Sequence, residues 1–345
     1  MMENGRDLPE SIIHLQTTST SMEDDCQLTP FNHYSQHLKN PDNIYREEKY
    51  FPTALYGSHL GWSHNSYSNN LLNLMLNLEK YCNGTMTYPF YDPRPKHSIN
   101  VSLKDAIRSP QIICTRTPYD NSRDQVLNLK NLTLMWCRMV SHYFDWTAGI
   151  PDLLRMAEED RISLCVHQLC KVICFTLSFA TYEHNCDGLL FAGGIYFPPN
   201  FHKSNIQPEI QNYVGRLYEV IRKKVIPIFQ DLQFTFEEYV LVKLLLFFGA
   251  DTAFLGEDQH NSRGVIGEAT KKYRHALIEH QKSRYPYMST YEIGLRLVRM
   301  YSIFSFMEIL HELDQSSLAE LVVLNKGNLQ GELTFDIHVR TTRNH

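Results

Sequence analysis

The sequence predicts an all-α protein, a three-layer antiparallel helical sandwich with one small β-hairpin. Three observations predict it. Val126 to Gly149 reads as a long amphipathic helix, with Leu129, Leu132, Trp136, Met139 and Tyr143 recurring at three- and four-residue spacing. After the break Gly149-Ile150-Pro151 and the acidic turn Glu158-Glu159-Asp160, Arg161 to Tyr182 reads as a helix apolar on nearly every side. Such a helix belongs in the interior of a protein or in a membrane. The one convincing strand signal is Gly188 to Pro199, two short apolar runs parted by glycines and stopped by prolines. A helix buried all round needs helices above and below it, hence three layers.

The chain of 345 residues is longer than one core needs. We expect a mobile arm or hinge over residues 1–96, rich in Asn, Ser, Tyr, His and Pro, and one helical domain over 97–345. The net charge of -5 and the lack of a Lys/Arg block argue against a nucleic-acid footprint. Eight cysteines without a secreted spacing pattern, and a polar start without an apolar signal core, fit a reducing compartment. The sequons beginning at Asn83, Asn100 and Asn131 are then chance matches. Two apolar windows are rejected as membrane spans. Ile162 to Thr181 carries His167, Gln168 and Lys171, and Tyr239 to Ala250 is short and holds Lys243.

In chain order, Leu71, Leu72, Met75 and Leu78 share a helical face within Asn69 to Cys82. That helix either docks on its own domain or engages another protein's groove. His97 to Thr115 predicts a first helix, with Leu103, Ala106 and Ile107 inward and Pro110 ending it. Ser122 to Gln125 has capping-box spacing for the long helix, and Pro151 cannot continue it. Gln207 to Gln230 is helical, with Pro227 near its end. Phe236 to Phe248 is a strongly apolar helix opened by Thr235 and Glu238, a second capping-box spacing. Gly256 to Gly267 is expected as a polar loop, and Val265 to Arg284 as a charged surface helix. Thr290 to Leu313 places Ile293, Leu297, Met300, Phe304 and Met307 on one seam, which serves a core, a helix-pair dimer, or both. Leu318 to Val339 is ambiguous.

Cys165, His167, Cys170 and Cys174 resemble a metal set. Strung on one continuous helix they fan over more than one face, whereas tetrahedral zinc needs convergence, so they read as core thiols. No nucleophile elbow, zinc-protease helix, phosphate loop or dinucleotide fingerprint occurs, and no enzyme, cofactor or metal is expected. The sixteen histidines are dispersed and read as surface or capping residues.

Trp146, Ile150, Pro151, Leu153, Met156, Asp160 and Leu164 fall at the spacings of the signature of nuclear receptor ligand-binding domains. The hairpin, the helix from Phe236 and the long helix from Thr290 follow in that family's order. The resemblance runs from about His97 to the end and is closest in style to the expanded nematode group. The departures are specific. The Lys that helps to clamp a coactivator helix in the family is Ala148 here, and the family's Asp-Gln is Asp160-Arg161. The polar pair that anchors a steroid ring is replaced by Met139 and Ala180. The C-terminal activation helix is loosely matched by Leu329 to Leu333, which leaves Glu332 as the coactivator contact. Only Cys26 and Cys82 precede Pro110, with no Cys-x2-Cys pair, so the zinc-finger module is not expected and this chain is not expected to bind DNA directly.

The resemblance implies an apolar pocket. Leu129, Leu132, Thr133, Trp136 and Met139 of the long helix would face Cys170, Ile173, Cys174 and Leu177 of the central one. At about 25 cal/mol per apolar Å² buried, a lipid-sized ligand would bind there without charge anchors. Trp136 and Tyr143 are also large enough to fill the space themselves. Three readings stand: a ligand-responsive nuclear regulator of transcription with coregulator partners, a module that dimerises with itself or another nuclear receptor, and a cytosolic lipid carrier.

Overall fold

The computed structural model describes residues 64–84, 97–250, 252, 255 and 260–340. Ser58–His345 form one unit by their contacts. The other unit, Met1–Gly57, lies outside the described residues, as does most of the arm expected over 1–96.

The elements run α1 (His64–Cys82), α2 (Leu103–Arg108), β1 (Gln125–Val126), α3 (Leu132–Ala148), α4 (Glu158–Glu183), β2 (Leu189–Leu190), β3 (Ile195–Phe197), α5 (Pro208–Val220), α6 (Ile226–Leu232), α7 (Phe236–Phe248), α8 (His260–Arg284), α9 (Thr290–Val323) and α10 (Glu332–Phe335). The chain is all-α with one small sheet. Helices α1 and α3 form one layer, α4, α7 and α8 the middle, and α5, α6 and α9 the other. By length and apolarity α4 could cross a membrane, yet 83% of its apolar window is buried within the fold, the place of a core helix.

Helix α1 packs on α3, α7 and α8 through Leu71, Leu72, Met75, Leu78 and Cys82. Docking on its own chain is therefore the role seen, and the folded unit begins before residue 97. Glu79 of α1 reaches Lys243 of α7 with both oxygens, at 2.8 and 3.1 Å, and both side chains are buried.

The long helix begins at Leu132, not Val126. Asn131 Oδ1 accepts from the Asn128 amide at 2.8 Å, and Asn128 Oδ1 accepts from the Lys130 amide at 2.9 Å. These local bonds favour a turn over helix. The Ser122 capping box does not form, because Gln125 stands in β1 and no helix starts there; the Ser122 hydroxyl donates to Asp120 at 2.7 Å. Gln125 and Val126 pair in parallel with Ile195 and Tyr196, making the expected hairpin a three-stranded sheet in the order β1-β3-β2. Gly193 and Gly194 turn the hairpin with φ of +74° and +71°, where a side chain on Gly194 would meet Ser122 Oγ.

The first expected helix shortens to α2 and the turn Pro110–Ile112, with Leu103 only half-buried. Between α5 and α6 the chain widens into a π-turn over Ile221–Val225, which accommodates Pro227, a residue with no N–H for the helical ladder. Helix α8 starts at His260, inside the expected loop, and its charged outer side is matched by a buried inner one. Val265, Ile266, Ala269, Tyr273 and Leu277 bury one face of it. Helix α9 runs ten residues beyond Leu313 to Val323. Both expected boxes were not equal: the one at Thr235 and Glu238 forms. Glu238 Oε1 also takes N–H groups from Gln281 at 2.8 Å and Arg296 at 2.6 Å, joining α7, α8 and α9.

Candidate ligand-binding site

Trp136 and Met139 of α3 face Ile173, Cys174 and Leu177 of α4 across a cavity closed by Phe191, by Tyr213 and Leu217 of α5, and by Asp314 and Leu318 of α9. The free volume between them is about 20 Å³, room for about one water molecule. Side chains thus fill most of the space. Tyr143 is not among them, since its hydroxyl donates to the Cys165 carbonyl at 2.7 Å and its ring packs on Trp146.

The other expected lining residues lie elsewhere. Leu129 is half-buried with its amide donating to Gln207 Oε1 at 3.3 Å. Leu132 is buried under Gly327, whose approach leaves no space for a Cβ. Thr133 donates its hydroxyl to the carbonyl of Gly327. The Cys170 thiol points to Gln315 Oε1 at 3.4 Å. Helix α3 begins six residues late, which leaves Leu129 outside it, and the turn after α9 covers its first turn at Leu132 and Thr133.

Two polar groups at this site escape a reading of the sequence by motif. The first is Asp314, 5% exposed, whose Oδ1 accepts from the Tyr213 hydroxyl at 2.6 Å. Burial raises its carboxyl to about 6, against the opposing bonds from Tyr213 and Cys170. The signal was its register: continuing the spacing Met307, Leu310, Asp314, Leu318 sets an acid on a core face.

The second is His338, fully buried in the π-turn Asp336–Arg340 that follows α10. The Trp136 indole donates to its Nε2 at 2.9 Å. An indole only donates, so Nε2 is the lone-pair nitrogen and Nδ1 carries the proton. Nδ1 then donates to Gln315 Oε1 at 2.9 Å, while Gln315 Nε2 donates to the His338 carbonyl at 3.1 Å. Burial, with the nearby His311, lowers the pKa of His338 to about 3 and keeps it neutral. The C-terminal segment is thereby bonded to the cavity wall on α3 and to α9.

The signature residues form scaffold rather than cavity. Trp146 is fully buried, edge-on to Phe247 at 5.5 Å, with the Lys243 ammonium 4.3 Å over its ring. Pro151 opens the turn Pro151–Arg155, and Leu153 and Leu164 are buried. Asp160 accepts the Ser262 hydroxyl of α8 at 2.5 Å. Ala148 and Glu332 are both exposed. Helix α10 is anchored next to Glu332 by the Leu333 amide, which donates to the Ile99 carbonyl at 2.9 Å. Cys165, Cys170 and Cys174 are buried separately, and no group of metal-ligating side chains gathers among the described residues.

The family model for the ligand-binding domain of nuclear hormone receptors matches residues 119–318. The chain is 25% identical over 254 residues to nuclear hormone receptor family member nhr-100 of Caenorhabditis elegans, covering 72% of this chain and 56% of that protein. It is 23% identical over 221 residues to family member nhr-4 of the same organism, covering 63% of this chain and 43% of that protein. The chain thus spans about half the length of the curated relatives it matches. The matched stretch takes in most of the cavity wall and the bend from Trp146 to Leu164, and on that ground the chain belongs to the nuclear hormone receptor family.

Proposed function

We propose that the helical body serves a nuclear regulator of transcription as its ligand-responsive part. An apolar ligand would enter between α3, α4, α5 and α9. The observation that supports this reading most is the position of Trp136, whose ring lines the cavity while its N–H holds His338 of the C-terminal segment. A ligand that needs the space of the indole shifts the segment, provided that it binds the shifted arrangement better. Coregulators would then meet the surface around α10 and Glu332. With Ala148 in place of a lysine, their grip would rest on apolar contact more than on a charge clamp.

The test is a fusion of the whole chain to a foreign DNA-binding domain, with transcription measured from a matching reporter. We expect a lipid extract to change output, and Trp136→Phe to change the basal level. Output unaffected by either would overturn the reading and favour a lipid carrier.

A second reading, dimerisation with itself or another receptor, is favoured by α9. Tyr291, Leu295, Val298 and Ile309 are exposed along it by 73, 52, 67 and 45%. Their spacing of four, three and eleven residues keeps one stripe, separate from the buried face of Ile293, Met300, Ile303 and Met307. Native mass spectrometry should show a dimer that Leu295→Glu with Val298→Glu dissociates. A monomer at all concentrations would exclude the homodimer.

A further inference from the structure

Phe179 and Tyr239 stack with ring centroids 4.1 Å apart and an interplanar angle of 11°. Both line a second cavity of about 210 Å³, set between the C-terminal end of α1, the middle of α3, the last turns of α4 and the start of α7. It shares no lining residue with the first cavity. Helix α4 serves both, turning Ile173, Cys174 and Leu177 to one and Thr176, Phe179 and Ala180 to the other. A helix apolar on every side is what allows this.

The polar groups here are unevenly satisfied. Glu79 is neutralised by Lys243. Thr176 Oγ1 accepts from the Tyr239 hydroxyl at 3.2 Å. His142 of α3 is different. It is 7% exposed, lies edge-on to Tyr119 at 5.2 Å, and makes no hydrogen bond to another described residue. Burial, reinforced by the charges of Lys243 and Arg116, lowers its pKa to about 3. The ring is therefore neutral and presents one N–H and one lone pair. The ring lines the cavity, so water or a bound molecule there can meet these two groups.

We propose that this second cavity binds a small, neutral, planar heteroaromatic molecule of one or two rings, packed against Phe179 and Tyr239 and hydrogen-bonded through its edge to His142. The size follows from volume, since a cavity of about 150 Å³ accepts benzene. An aromatic, planar guest follows from a lining that holds Tyr119, Phe179, Phe236 and Tyr239, since aromatic rings favour stacked or edge-on partners. Neutrality follows from charges that offset one another: Glu79 is paired with Lys243, and the two other charged lining residues, Lys80 and Glu183, are of opposite sign.

The test uses the whole chain and two probes of the same two-ring shape, benzimidazole with a donor and an acceptor and indene with neither. Titration followed by calorimetry should give saturable binding of benzimidazole about tenfold tighter than indene, the factor that corresponds to 1.4 kcal/mol. His142→Phe should bring the ratio near one. Ala180→Leu, which fills the cavity from α4, should abolish binding of both while helical circular dichroism is kept. Equal binding of the two probes, a preference that survives His142→Phe, or no saturable binding of either would overturn the proposal. Because Ala180 and His142 do not line the first cavity, neither variant should alter the lipid response of the reporter, and so the two sites fail or succeed separately.

Discussion

The Trp136 indole donates to His338 Nε2 across 2.9 Å, joining two residues 202 positions apart in the chain. Each is the other's partner in a buried place. Trp136→Phe keeps an aromatic ring but removes a buried donor from His338 Nε2, at a cost of about 1–3 kcal/mol. We expect urea denaturation to report that loss. Hydrogen exchange should show faster opening over Leu333 to Val339 than over α4. Uniform loss of protection through the body would contradict the local role given to this bond.

Asp314 makes stability depend on pH in a defined direction. Its folded value of about 6 lies above the ordinary 3.8, so the folded state holds the proton more tightly. Its contribution is complete below pH 3.8 and is lost as pH rises through about 6. The full difference corresponds to about 3 kcal/mol. Asp314→Asn cannot ionise and can still accept the Tyr213 bond. Its melting temperature should match the parent at about pH 4 and exceed it at about pH 8. A gain at the lower pH alone would reverse the assignment.

The two buried histidines act at the acid end with the opposite sign. His142 and His338 both fall to about 3 from an ordinary 6.5. The unfolded chain takes up those protons first, so stability is present above pH 6.5 and declines as pH falls toward 3. Between these limits the slope of unfolding free energy against pH should include two protons from these residues. His142→Phe should remove about one of them. An unchanged slope would mean that the histidine is charged or solvated in the fold.

Lys243 ties α7 to α1 through Glu79, with the pair 1% and 4% exposed at the side chains. Lys243→Met strands a buried carboxylate and should cost about 3–5 kcal/mol. Adding Glu79→Gln should recover a large part of it, because the stranded charge is then gone. Chemical denaturation of the three variants reads the coupling, and strictly additive losses would show that the pair is not a unit.

The periodic elements were legible because their apolar residues repeat over several turns. The buried helix belongs to this class, while the capping box at Thr235 and the bend from Trp146 to Leu164 were legible as local motifs of fixed spacing. Boundaries were lost where side chains bond to nearby backbone, as Asn128 and Asn131 do ahead of α3. That displacement took Leu129 out of the helix, while Leu132 and Thr133 keep their helical phase and are covered by the turn at Gly327. The site was half legible. Trp136, Met139, Ile173, Cys174 and Leu177 follow from helical phase, since they need only one helix face each. His338 depends on how the last third of the chain returns to α3, and spacing within one segment carries no trace of that; for Asp314 the register marks a core position but not its bond to Tyr213. His142 was hidden for another reason, as a polar residue within an apolar stripe looks like an interruption until its surroundings are known.

Gly149 sits at the bend after α3 with Leu78 against it, so close that a Cβ on Gly149 would lie 2.2 Å from Leu78 Cδ1. The knob comes from α1 and the socket from the signature region, which fixes how much polypeptide must be made for either to be sound. A fragment started at residue 97 would leave that socket empty and the bend loosely held. Anyone preparing this body for crystals or binding work should start upstream of His64, and poor yield from shorter fragments would then reflect a missing wall rather than a missing ligand.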